Sequence, residues 1–151
     1  MSGAGRVEGR LIRVLLLVLA LPQLATGALA LLAPRAFYDD FPGAGRRWVA
    51  TLGPYDEHLV RDVGAGLLAL SVLVIIAAVS LDHAVIRAAL VAWLVFAVPH
   101  LAFHVSTAER FGVADNIGNL TGLGLSVVVP IAVLVLNQRP GRARAGAVPD
   151  E

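Results

Sequence analysis

The chain has 151 residues, of which 58% are hydrophobic and 15% charged, and its mean hydropathy is +0.78. Soluble domains are about 45–50% apolar and about 25% charged, so both departures point to lipid as the surrounding solvent. A net charge of +1 argues against a nucleic-acid partner, which would need a basic stripe. The absence of cysteine excludes disulfides, thiolate catalysis, iron–sulfur clusters and Cys-containing zinc sites. All twelve cations are arginine, a bias that carries no chemistry of its own.

Four apolar runs follow in chain order. The first is Leu11 to Ala33, with Arg13 as its only charge and Pro22-Gln23 at its middle. The second is Val63 to Leu81, entered through Arg61-Asp62. The third is Ala88 to Val105, preceded by Arg87 and containing Pro99, His100 and His104. The fourth is Ile117 to Leu136, with Pro130 near its end. A hydrocarbon core of ~30 Å takes about 20 helical residues to cross, and each run with its flanks has that length. Backbone groups in lipid must be bonded within the segment, so the runs read as helices over roughly 11–33, 59–81, 85–106 and 117–137. The expected fold is therefore an all-α, four-helix transmembrane bundle in one domain, residues 1–138. A disordered tail is expected over 139–151, which is Arg, Gly, Ala and Pro without periodicity.

Arg6, Arg10 and Arg13 before a Leu-rich stretch, with Ala28-Leu29-Ala30 after it, also resemble a secretory signal and its cleavage site. The apolar run continues past that site to Ala33 before Pro34 stops it, which favours an uncleaved helix. Arginine placement sets the orientation. Arg6, Arg10, Arg13, Arg87, Arg139, Arg142 and Arg144 fall on one side, and Arg35, Arg46, Arg47, Arg61 and Arg110 on the other. The positive-inside rule then puts both termini in the cytoplasm of a cell-membrane protein. The connection over 34–58 becomes a structured outer loop with turn signals at Pro42-Gly43, Gly45 and Gly53-Pro54. Phe37, Tyr38, Phe41, Trp48, Tyr55 and Phe111 all fall in outer segments, as aromatics do at membrane interfaces. Gly64, Gly66, Gly118, Gly122 and Gly124 lie in the outer halves of the second and fourth helices, and Gly118 and Gly122 form a small-xxx-small pair suited to close helix approach.

The polar residues of the spans gather at one depth. Asp62 lies one turn below His58, about 6 Å deeper, and His104 and His100 lie about one and two turns below the outer end of the third helix. Asn119 falls at a similar depth, and Glu57, Arg61, Asp115 and Asn116 crowd the rim above. His58 and Asp62 share a helix face at i, i+4, as do His100 and His104. Two such pairs on facing helices can build a metal site. His100, His104, Asp62 and His58 are thus candidate ligands for zinc, iron or copper, and His58 and His104 could alternatively clasp a haem. Glu57 at the rim is a candidate general base. H-x-x-x-H alone is a weak signal, because the zincin motif requires Glu after the first His and Leu101 stands there. The same residues can instead be interhelical glue, with Asp62 paired to Arg61 or Arg110.

The stretch His58-Leu59-Val60-Arg61-Asp62-Val63-Gly64-Ala65-Gly66-Leu67-Leu68-Ala69-Leu70 resembles the entry to the second helix in small four-helix bacterial membrane proteins of the DoxX-like kind. Pro99-His100-Leu101-Ala102-Phe103-His104 is similar to a motif of actinobacterial relatives. The resemblance implies the four-helix layout and a respiratory or redox-associated neighbourhood, and carries no catalytic residue across. Three functions are open at this point. The first is an outer-facing His/Asp pocket for a metal or polar ligand. The second is an accessory subunit of a larger membrane complex, or a homo-oligomer, with the polar cluster as glue. The third is a lipid- or quinone-binding protein with the aromatic outer loop as its lid.

Overall fold

The computed structural model describes residues 3–138; the tail expected over 139–151, with Arg139, Arg142 and Arg144, lies outside the described residues. The described residues are helical almost throughout. Helix α1 spans Gly3–Leu32, a short α2 spans Pro34–Asp40, α3 spans Glu57–Ser80, α4 spans His83–Ser106 and α5 spans Val113–Leu136. A small antiparallel hairpin, β1 (Pro42–Gly43) and β2 (Arg46–Arg47), and one 3₁₀ turn at Ala108–Arg110 complete it. The four long helices are long and apolar enough to cross a membrane. A helix of 24 residues is about 36 Å long at 1.5 Å per residue, more than the ~30 Å hydrocarbon thickness.

The spans begin earlier than hydropathy places them. Helix α1 starts eight residues before Leu11, and α5 starts at Val113, four before Ile117. Backbone hydrogen bonding continues through Arg6, Glu8, Arg10, Asp115 and Asn116 because water tolerates these charges on a helix as readily as in a loop. Caps set two other starts. The Asp56 carboxylate accepts from the Leu59 amide at 3.0 Å, and the Asp82 carboxylate from the Ala84 and Val85 amides at 2.9 and 3.0 Å. Leu81 takes a left-handed conformation (φ 51°) at the end of α3, which lets α4 begin two residues later. Pro34 opens α2 at its first position, where the missing N–H costs nothing.

Helix α1 lies mainly against α3, and α4 mainly against α5. The first pair is drawn together by two glycines. A Cβ on Gly64 would stand 2.6 Å from the Leu31 amide nitrogen and 2.9 Å from the Gly27 carbonyl oxygen. A Cβ on Gly27 would stand 2.9 Å from the Gly64 carbonyl oxygen. Gly66, Gly122 and Gly124 have no neighbour within 4 Å at that position, and Gly118 meets only the Trp48 ring. The close-packing pair is therefore Gly27/Gly64, not Gly118/Gly122: direction around the helix decides which small residues meet a neighbour.

Two apolar clusters hold the bundle. The larger, at the α3–α4 turn, joins Leu16, Ala20, Val74, Ile86, Leu90, Trp93 and Val133. The smaller, at the opposite end, joins Ala30, Phe37 and Val60, with Phe41, Val49 and Tyr55 against it. Between them the interior is not filled. The Asn137 amide donates to the His83 carbonyl at 3.1 Å, and its Oδ1 lies 2.6 Å from His83 Nδ1, which ties the start of α4 to the end of α5. At most 33% of the 18-residue apolar stretch in any span is buried inside the protein, and exposed positions along the spans include Val14, Val95, Val98, Val128 and Ile131. Helices that stay apolar on the face turned away from their core are suited to crossing a membrane.

Candidate ligand site

A cavity of about 620 Å³ occupies the gap between the two clusters, bounded by all four long helices and roofed by the α2–hairpin segment. Its best-organised wall is on α4. Trp93, Phe96, His100 and His104 recur at spacings of three and four, so they form one stripe. Phe96 and His100 stack with ring centroids 5.1 Å apart and planes 23° from parallel. His100 and His104 meet edge-on at 4.7 Å. Trp93 is buried and donates its indole N–H to the Ser126 carbonyl at 2.9 Å, which fixes α4 to α5 below the histidines.

His104 and Asn119 are the buried polar pair of the cavity, 8% and 6% exposed. The Asn119 amide nitrogen donates to His104 Nδ1 at 2.9 Å. A neutral imidazole that accepts at Nδ1 carries its proton on Nε2, so this contact selects the tautomer. His100 lines the same space, and its ring contacts are to Phe96 and His104. Most other polar groups of the lining are already engaged. The Thr26 hydroxyl donates to the Pro22 carbonyl at 2.9 Å, and the Ser126 hydroxyl to the Leu123 carbonyl at 2.7 Å. Gln23 also lines the cavity.

The roof is aromatic. Phe37 and Phe41 pack at 4.9 Å, and Phe41 meets the Trp48 ring edge-on at 6.1 Å. Trp48 donates its indole N–H to Asp115 Oδ1 at 2.8 Å, and Arg46 forms an ion pair with the same oxygen. Arg110 donates to the Leu52 carbonyl at 3.1 Å. These bonds fasten the roof to α5 and to the connection preceding it. On the exposed side of the roof Arg35 pairs with Asp39 at 2.5 Å and Arg47 with the same carboxylate at 3.1 Å. The Arg35 hydrogen bond holds the Asp39 carboxyl below its ordinary range, against a smaller opposing effect of desolvation.

The expected metal ligands divide into two groups. His100 and His104 line the cavity. His58 and Asp62 pair with each other at 3.3 Å on the outside of α3, with side chains 88% and 63% exposed. Among the described residues no three His, Asp or Glu side chains are grouped to hold a metal ion. The depth expected for Asp62 does not decide the matter: Val60, Gly64 and Leu67 form the buried face of α3, and Asp62 is exposed. His58, the expected haem partner of His104, is likewise not part of the cavity lining. Glu57 is engaged by Arg61 at 2.9 Å, so the rim carboxylate expected as a base is half of a surface ion pair. Arg61 also donates to the Leu31 carbonyl. Asn116 donates to the Ala108 and Phe111 carbonyls at 2.8 and 3.2 Å and shapes the loop before α5.

Sequence reasoning overlooked Trp93, Phe96 and Ser126. The stripe Trp93–Phe96–His100–His104 was readable as a helical repeat of ring side chains, and both tryptophans of the chain, Trp48 and Trp93, line the cavity. No protein-family model, curated protein or solved structure matches the chain. Fold and site together define a helical bundle with four helices able to cross a membrane and an apolar cavity between them.

Proposed function

We propose that the protein is a multi-pass protein of the cell membrane that binds an apolar small molecule of the bilayer, a lipid or a quinone, within its helices. The cavity carries this reading. Its volume lies within the roughly 300–1,000 Å³ of small-molecule sites, and such sites pair apolar walls with a few convergent polar groups. Here the walls are mainly Val, Leu, Phe and Trp side chains, and the polar groups are His100, His104 and Asn119 together with Gln23, Thr26 and Ser126. Both termini are cytoplasmic, following the arginine distribution, so the aromatic roof faces outward and acts as the lid.

The test is a fluorescence titration of the purified protein in mild detergent with decylbenzene, beside Gly122→Phe. Gly122 lines the cavity, and a side chain there enters open space. Saturable change in tryptophan emission in the wild type, weakened in Gly122→Phe, supports the cavity as a binding site. Linear partition-like behaviour in both proteins overturns it. Orientation is tested separately. The chain has no cysteine, so a single Ala44→Cys in intact cells should react with a membrane-impermeant maleimide, and an unreactive Cys would reverse the topology.

A further inference from the structure

We infer that the ligand's head group is uncharged and accepts a hydrogen bond from His104, as the carbonyl of a ring compound would. The inference rests on the cavity being a ligand site and concerns what that site selects.

The polar inventory of the cavity argues for it. None of the described lining residues is Arg, Asp or Glu. An anionic head, such as a fatty-acid carboxylate or a phosphate, would enter without a permanent countercharge, and so would a cationic amine. Burial of an unpaired ion is strongly unfavourable, whereas burial of a neutral polar group requires only a hydrogen bond. The available donors are few. The Trp48 and Trp93 N–H groups and the Thr26 and Ser126 hydroxyl protons are all given to protein oxygens. His104 remains. With Nδ1 accepting from Asn119 at 2.9 Å, its Nε2 holds the proton, and the ring lines the open space. His100, edge-on to His104 at 4.7 Å, supplies a second imidazole at the same end.

The walls add shape to charge. Phe96 already stacks on the His100 ring, and Trp93, Phe37, Phe41 and Trp48 add further aromatic surface. A flat ring bearing a carbonyl finds stacking partners here as well as its donor, since aromatic rings favour offset or edge-on neighbours. The apolar lining contributed by α1 and α3, including Leu19, Val63 and Leu67, takes the remaining chain.

The experiment is a ligand series on the intact wild-type protein in mild detergent, read by the emission of Trp48 and Trp93 after correction for ligand absorption. The probes share a ten-carbon tail: decyl-1,4-benzoquinone, decyl phenyl ketone, decylbenzene, sodium decanoate and decylamine. The two carbonyl compounds should bind about ten-fold tighter than decylbenzene, the effect of one hydrogen bond, and the two ions weaker than either. His104→Leu should erase the advantage of the carbonyl compounds over decylbenzene. His104→Gln, whose amide still donates, should keep part of it. A quinone that binds well beside a ketone that does not would confine the preference to quinones, and equal binding of both would extend it to ketones. Decanoate or decylamine binding as tightly as the ketone would overturn the inference and leave the cavity standing. So would carbonyl affinity indifferent to His104. If decylbenzene and every other probe fail to saturate, the cavity itself is not a binding site.

Discussion

Trp48 donates its indole N–H to Asp115 at 2.8 Å while its ring lies over Gly118, where an added Cβ would come within 3.3 Å. The residue thus closes the cavity roof and is latched by a carboxylate in the first turn of α5. Arg46, two residues earlier on β2, grips the same oxygen, so hairpin and ring are held by one acceptor. Asp115→Ala removes both contacts at once. In a Trp93→Phe background, the Trp48 emission of that variant should shift to the red, and amide exchange over 41–52 should accelerate several-fold. Unchanged emission would show that ring packing on Gly118 alone holds the roof.

Gly64 predicts a stability effect at the other side of the bundle. A methyl there must displace the backbone of α1 at Leu31 or Gly27, not a flexible side-chain end. Gly64→Ala should destabilise the protein by about 1–3 kcal/mol, the usual cost of overpacking, measured by unfolding in mixed detergent. Gly122→Ala, with no neighbour within 4 Å, should be close to neutral. Equal effects at the two positions would mean that helix propensity, not the α1–α3 contact, governs both.

The four spans were legible because continuous apolar runs of that length have few other uses. Their inner faces were not. In α3 the exposed Val72, Ile76 and Val79 are as apolar as the buried Val60, Leu67, Val74 and Ala77, so the sequence offers little contrast from which to read the direction of packing. Depth could be counted from the ends, and depth grouped Asp62 with His100 and His104. Rotation, at 100° per residue, separates Asp62 from the buried face that contains Val60 and Gly64. The roof was partly legible. Pro42-Gly43 and Gly45 were read as turn signals; the turn is Ala44-Gly45, with Pro42–Gly43 as the strand leading into it, and Gly43, Ala44 and Gly45 have φ values of 99°, 56° and 75°. That they close a hairpin placing Trp48 over α5 depends on Asp115, 67 residues away in the chain, and no local signal carries a contact of that range.

Asp39 predicts an acid response of the roof. Its carboxyl is held low by Arg35, with Arg47 as a second partner. A carboxylate whose folded value lies below its unfolded one stabilises fully above the unfolded range, near pH 4, and the contribution is lost as pH falls through the lower folded value. The α2–hairpin segment should therefore loosen between about pH 4 and the acid side of that range, seen as a step in Trp48 emission in the Trp93→Phe background. Asp39→Asn should lack that step and show the loosened emission at neutral pH. A step of the same size in Asp39→Asn would assign it to another carboxylate.

The His104–Asn119 contact predicts an energetic coupling. Each residue is buried and each satisfies the other, so replacing one alone leaves a polar group without its partner. Asn119→Leu and His104→Leu should each cost about 1–3 kcal/mol. The double variant should cost less than the sum of the two, with a coupling near the ~0.6 kcal/mol average for hydrogen bonds between helices in membranes. Unfolding of the four proteins in the same mixed detergent gives the cycle directly. Zero coupling would mean that Asn119 does not orient the imidazole, and the proton assigned to Nε2 would lose its structural cause. Coupling well above the average would place the pair in a drier site than the open cavity describes, with His104 turned wholly to α5.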